Sequence, residues 1–182
     1  MDAQGLATDP PPSLPVTLCV ALSRPPTVAK VLTQATAMGI KHFAWFHARR
    51  VEKSYWQSSA LTPEAIDRQL RLGLEQAVDT VCPAVELCPR FVPFVEDRLP
   101  NLLAARGVPT PTVAHPGRVG GAGLAEPCVL VVGPEGGFID YELERFEAIG
   151  ANFVDLGPRI LRVETAVVAL VAQLAASGCA VG

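Results

Sequence analysis

The sequence predicts an α/β domain built on a parallel sheet, and three observations predict it. Short apolar segments alternate with stretches of helical periodicity along the chain. One of them, Cys128 to Val132, has no polar alternation at all, the pattern of a strand buried on both faces. That segment and Asn152 to Leu156 both run straight into Gly-Pro, at Gly133-Pro134 and Gly157-Pro158, and then into helical patterns. No internal repeat is present, and 182 residues with 49% hydrophobic content suffice for one domain that buries about 70% of its unfolded surface.

Residues 1 to 15 are polar and proline-rich and are expected to form a disordered tail, leaving 16–182 as the folded domain. Val16 to Leu22 is expected as a strand, Thr27 to Met38 as a helix closed by Gly39, and Lys41 to Phe46 as a second strand. Thr62-Pro63-Glu64 supplies an N-cap and a first-turn proline for a helix running to about Val81. Ala84 to Leu87 is a short strand, Val95 to Arg106 a helix kinked or split by Pro100, and Thr112 to Ala114 another strand. Four glycines between Gly117 and Pro127 mark a flexible loop. Asp140 is the expected N-cap of a helix over Tyr141 to Ile149, with acidic residues near its start and Gly150 past its end. The last helix spans about Glu164 to Ala176, capped by Thr165 or Glu164, with Ala166, Val167, Leu170, Val171 and Leu174 at helical spacing.

Composition excludes several classes. No run approaches the ~20 apolar residues of a membrane span, and the N-terminus lacks a basic region followed by an apolar one, so a cytoplasmic protein is expected. Cys19, Cys82, Cys88, Cys128 and Cys179 are odd in number and form no CxxC pair, which fits small apolar residues in a reducing compartment. His42, His47 and His115 have no metal-site spacing, and no metal is expected. The net charge of −3 does not advertise a nucleic-acid binder, so any RNA contact must come from a local patch. The densest basic cluster is Arg49, Arg50 and Lys53, near Trp45, Phe46, Tyr55 and Trp56. Cations neutralise phosphates and aromatic rings stack on unpaired bases, so this segment either guides RNA or is a solvated loop beside core aromatics.

The chemistry concentrates in the two Gly-Pro turns. Three glycines in Gly133-Pro134-Glu135-Gly136-Gly137 leave main-chain N–H groups uncovered, so an anion or a flat ring can approach the backbone closely. Arg159 and Arg162 sit between the second turn and the long helix. An anion nest for a nucleotide or phosphate is one use of such a loop, but the Lys and Ser/Thr of a P-loop and the spacing of a dinucleotide fingerprint are lacking.

GPEGGF followed by LGPRILRVETA, over Val129 to Leu174, resembles the ribosomal RNA uridine-N3 methyltransferases, the RsmE family of the SPOUT superfamily. The resemblance implies a parallel-sheet SPOUT-type domain with a C-terminal deep trefoil knot, a homodimer with the last helix either at its seam or buried in the core of one subunit, S-adenosylmethionine as cofactor and ribosomal RNA as partner. It implies that adenine and ribose rest against backbone groups of Val132, Gly133, Gly136, Leu156, Gly157, Ile160 and Leu161, with His115 and Pro116 as another wall. A β-carbon at Gly133 or Gly136 would occupy ligand space on this reading. Removal of the uridine N3 proton leaves an anion that a cation stabilises, for which Arg162 and then Arg159 are the candidates, against the alternative of buried arginines bridging to a helix end or a carboxylate. Glu164 either orients an arginine or assists proton removal, or else caps the helix, and Glu135, counted with the cofactor site, carries the same ambiguity.

The chain departs from the family pattern in places. The N-terminal PUA-like barrel of the family is expected to have no counterpart, since the matching region begins near Val16. In the segment that usually resembles QKATELGV, Gln34 and Ala37 replace a lysine and a glutamate. Asp79 stands where an arginine follows Glu75-Gln76, removing positive charge expected beside the acceptor. The alternative to an active enzyme is therefore a catalytically weakened paralogue that binds cofactor or RNA.

Overall fold

A computed structural model describes residues 9–120 and 124–178 of the chain. The first eight residues of the expected tail, residues 121–123 of the expected loop and Cys179 lie outside the described residues. The chain orders as β1 (Val16–Ala21), α1 (Pro25–Ala37), β2 (His42–Phe46), α2 (Pro63–Ala77), β3 (Ala84–Cys88), α3 (Phe91–Pro93), α4 (Leu99–Arg106), β4 (Thr112–Ala114), β5 (Cys128–Val132), α5 (Asp140–Ala148), β6 (Asn152–Val154) and α6 (Val163–Gly178). Two short 3₁₀ turns, Lys53–Gln57 and Ser59–Leu61, precede α2, and a π turn over Phe94–Arg98 joins α3 to α4.

The six strands form one sheet in the order β3-β2-β1-β5-β4-β6, and every neighbouring pair is parallel. All loops that follow a strand therefore gather at one edge of the sheet, where ligands of open α/β sheets bind. Every residue of β1 and β5 is buried, and the two pair from Val16↔Cys128 to Val20↔Val132, which is why neither strand shows polar alternation.

The helix ends differ from the sequence expectation in instructive ways. Helix α1 starts at Pro25, two residues early, because prolines fit the first turn; its N-cap is Arg24, with no side-chain cap. Thr62 caps α2 as expected, its Oγ1 accepting from Ala65 N at 3.3 Å. The helix ends at Ala77 rather than near Val81, because Val78 turns left-handed at φ 53°. The helical run expected from Val95 begins at Phe91, and the π turn ahead of Pro100 absorbs the break. Asp140 is not the N-cap of α5. Ile139 occupies that position, and Glu142 folds back so that its Oε2 accepts from Ile139 N at 3.0 Å.

Packing fixes the loops from below. Phe46 at the end of β2 stacks on Phe94 with ring centroids 4.2 Å apart, and Phe138 meets Phe146 edge-on at 5.2 Å. These rings lie beneath the glycine loop and hold its C-terminal end. Helix α1 packs against both α2 and α6. On α6, Val167, Leu170, Val171 and Leu174 are completely buried inside this one chain. The expected tail is already tied down at its end, since Leu14 N donates to Gly39 O and Cys128 N donates to Pro15 O.

Lys41 and Asp79 pair at 2.6 Å in a buried position just ahead of β2, at the edge where the strands begin. Asp79 also accepts from Val81 N at 2.9 Å. It is thus a structural acid at the end of α2 and removes no charge from the edge where ligands bind.

Candidate functional site

A crevice opens at the edge where β4, β5 and β6 end, and the loops that follow these strands form its walls. After β4 come His115 and Pro116; after β5, Gly133 to Glu135 and Gly137. After β6 come Asp155, Leu156 and the run Arg159 to Leu161, with Val163 and Ala166 of α6 at its base. The first Gly-Pro bend and the residues that flank the second, Leu156 and Arg159, therefore line one cavity. Of the residues proposed for cofactor binding, His115, Pro116, Val132, Gly133, Glu135, Leu156, Ile160 and Leu161 line it, and Arg159 joins them. Gly136, Gly157, Arg162 and Glu164 are next to the lining rather than in it.

The glycines are needed for reasons other than direct ligand approach. A β-carbon at Gly136 would lie 3.0 Å from Cδ of Arg50, whose Nη1 donates to the Gly136 carbonyl. At Gly133 it would lie 3.1 Å from the Phe138 ring. The expectation that a β-carbon at either position fills ligand space is thus corrected, because protein atoms stand there. Gly157 has open space around it but a φ of +98°, which side-chain-bearing residues rarely adopt.

Asp155 pins the walls together and was not singled out from the sequence. Its Oδ1 accepts from Gly157 N at 3.0 Å, closing the second bend, and its Oδ2 accepts from Gly117 N at 2.8 Å, reaching across to the loop after β4. The signal was present: an Asp two residues before a Gly is the signature of an Asx turn. Gly120 and Phe153 add two main-chain bonds between the same loop and β6.

Charge around the crevice is arranged by four loops. Glu135 accepts from Arg24 N at 3.3 Å and pairs with the same residue's Nε at 3.6 Å, tying the glycine loop to the end of β1. Arg159 and Arg162 are exposed and have no carboxylate partner among the described residues, so neither is the buried bridging arginine of the alternative reading. Glu164 pairs with Lys30 of α1 at 3.2 Å. Its carboxyl is held below the usual range chiefly by its own backbone N–H and, despite partial burial, by Lys30, which is the behaviour of a helix-capping acid. Burial lowers the His115 imidazole below its ordinary value, and Arg118 and Arg50 push it the same way against Asp155. His115 is therefore neutral near pH 7. Trp45 and Phe46 of the basic-aromatic segment belong to the core, whereas Tyr55 and Trp56 are only half-buried.

Comparison with known proteins gives this geometry a family. A 28% identical relative over 171 residues, covering 90% of this chain, is ribosomal RNA small subunit methyltransferase E of Treponema pallidum. The protein of the same name from a Synechocystis strain is 31% identical over 166 residues and covers 88%. The chain spans 62% and 53% of the length of these two relatives. A crystal structure of ribosomal RNA small subunit methyltransferase E from Neisseria gonorrhoeae, bound to S-adenosyl methionine, superposes with a TM-score of 0.69 at 20% identity, covering 93% of this chain and 68% of that one; it shares the fold. The model of the RNA methyltransferase domain family matches residues 10–175, nearly the whole chain and all six strands with the crevice between their loops, and the chain belongs to that family.

Proposed function

We propose that this chain is an S-adenosylmethionine-dependent methyltransferase acting on RNA, with N3 of a uridine in ribosomal RNA as its target. The observation that carries the reading is that the first Gly-Pro bend and the residues flanking the second line one crevice at the strand ends. The residues present fit the cofactor: apolar side chains of Val132, Leu156 and Leu161 suit a flat ring, main-chain groups at the bends suit its polar edges, and neutral His115 adds no repulsion to a sulfonium cation. When bound, the cofactor supplies an electrophilic methyl group, and no metal is needed.

The chain's own task is alignment and proton removal. Arg159, in the lining, and Arg162, between the lining residues Leu161 and Val163, are exposed cations and would stabilise the uridine anion as its proton leaves. Glu164 serves the helix and Lys30 instead, and Glu135 holds the glycine loop through Arg24. The trefoil knot is part of the proposal. It is supported by β4 lying between β5 and β6, by the Asp155–Gly117 bond across the loops, and by α6 crossing from the β6 edge to α1. The homodimer is supported by exposed Ile160 and Val119 on the loops around the crevice, which a second copy would cover.

Isothermal titration with S-adenosylmethionine tests the first step, and incubation with methyl-labelled cofactor and ribosomal RNA tests the second. Binding that is abolished by Ala166→Trp, which fills the base of the crevice, is expected, and label in RNA that disappears in Arg162→Ala. Folded protein that binds no cofactor at high concentration would remove the reading's basis. Cofactor binding without transfer to any RNA would favour the binding-only paralogue.

A further inference from the structure

Seven of the fifteen lysines and arginines pair with a carboxylate. Of the eight without such a partner among the described residues, only Arg68 and Arg106 lie elsewhere, on α2 and at the end of α4. The other six are Arg49, Arg50, Lys53, Arg90, Arg159 and Arg162, and all are exposed. All six stand on the segments that leave β2, β3 and β6, and the parallel sheet puts those segments at one edge. From β3 to β6 is five strand spacings, about 24 Å at ~4.8 Å each. The crevice opens between them, and Arg50 lies across the glycine loop at its rim. Besides its bond to Gly136 O, its Nη1 is 3.9 Å from where a Gly137 β-carbon would stand, a point 3.8 Å from His115 Cε1.

We propose that the strand-terminating edge is a phosphate-docking face for single-stranded RNA, running from Arg90 past Arg50 to Arg162, with Arg50 joining the track to the crevice. The choice of RNA as the polyanion rests on the methyltransferase reading; the track itself rests on the placement of charge. The acids at this edge do not cancel it. Asp155 is engaged by two amides, Glu135 by Arg24 and Glu164 by Lys30, and Glu142 is buried with two amides, which leaves three exposed carboxylates without a cationic partner among the described residues, Glu52 beside Lys53, Asp97 near Arg90 and Asp140 at the start of α5, against six cations. A guanidinium held only by a neutral carbonyl keeps its full charge and several free donors for a phosphate oxygen. Half-buried Tyr55 and Trp56 flank the same segment as Arg50 and offer faces for unpaired bases.

The test is the salt dependence of binding to a fluorescein-labelled single-stranded RNA of mixed sequence, read by anisotropy with no methyl transfer involved. Each lost phosphate contact lowers the log–log salt slope by about 0.7, so a fourfold rise in salt costs wild type about 2.6 times more affinity than a variant lacking one contact. Arg50→Ala and Arg90→Ala are each expected to show that loss, Arg50→Lys to retain the wild-type slope, and Arg68→Ala, on α2 rather than on a strand-terminating segment, to behave as wild type. Equal slopes for wild type and Arg50→Ala would overturn the proposal, as would an equal loss in Arg68→Ala. Arg50→Ala weakening S-adenosylhomocysteine binding while leaving the RNA slope intact would also overturn it, assigning Arg50 to the cofactor's carboxylate. Calorimetry with S-adenosylhomocysteine keeps the two readings apart. The slope pattern without cofactor binding would sink the methyltransferase reading and leave the track, and cofactor binding without RNA affinity would sink the track alone.

Discussion

Glu142 is 2% exposed, yet both of its carboxylate oxygens are used by main-chain amides. Oε1 accepts from Arg49 N at 2.7 Å and Oε2 from Ile139 N at 3.0 Å, so one side chain joins the loop after β2 to the end of the glycine loop. Glu142→Ala leaves two inward-facing donors without an acceptor. Each orphaned donor costs about 1–3 kcal/mol, so the two together cost about 4 kcal/mol. Set against the 5–15 kcal/mol typical of a whole domain, that loss is severe. At about 2–4 °C per kcal/mol for a domain of this size, the melting temperature should fall by about 8–16 °C in scanning calorimetry. Glu142→Gln keeps one acceptor oxygen and places an amide N–H against the other donor, so its loss should be about half as large. A fall of less than about 3 °C in the Ala variant would refute the clamp and would mean that water or backbone movement satisfies both amides.

Other predictions follow from single contacts. Asp155→Ala removes the bonds to Gly117 and Gly157 across the crevice and should weaken S-adenosylmethionine binding about tenfold, equivalent to ~1.4 kcal/mol, with a smaller effect on melting; titration calorimetry checks both walls at once. Asp79→Ala strands buried Lys41 and should cost about 3–5 kcal/mol of stability while leaving cofactor affinity unchanged, since the pair sits at the opposite edge of the sheet. Gly73→Ala puts a β-carbon 2.5 Å from Thr33 O on α1, so the helix-propensity gain of about 1 kcal/mol is outweighed and the protein should melt lower, not higher. Burial lowers the pKa of both His47 and His115, so the unfolded chain takes up their protons first; stability should be complete above about pH 6.5 and decline as pH falls below it, in urea titrations at several pH values.

The strands were legible because burial on both faces leaves an apolar run that no amphipathic helix matches, and all six were placed within two residues. Helix ends were less so, because their causes lie away from the local sequence. Asp140 has the chemistry of an N-cap, but Glu142 reaches back to Ile139 and shifts the start by one residue. Val78 turns left-handed although β-branched residues avoid that region, and Asp79 directly after it is pulled into its pair with Lys41, 38 residues upstream. The two bends of the crevice carried a local signature in glycine and proline. What surrounds them did not: Arg50 lies against Gly136 from 86 residues away, and Glu142 meets Arg49 from 93. Such contacts are set by which loops a parallel sheet gathers at one edge, and that follows from strand order rather than from any window of sequence.

Strand order also reverses the meaning of the chain's charge. A net charge of −3 argues against a polyanionic partner only if charge is spread evenly, because a ligand at the surface senses groups within a Debye length of about 8 Å rather than the whole molecule. Here many of the other cations are neutralised by partners: Lys41 by Asp79, Arg98 by Glu86, Arg145 by Glu96 and Arg71 by Asp67. Six of the eight without a carboxylate partner among the described residues stand on segments at the strand-terminating edge, where the crevice opens. Asp79 contributes to the global sum but sits at the other edge beside Lys41, so its substitution for an arginine leaves the field at the crevice unchanged. Asp79, held by Lys41 at that far edge, therefore gives no support to a weakened enzyme. Gln34 remains a departure, and Lys30, one helical turn before it on the same face of α1, supplies a cation there whose charge is balanced by Glu164.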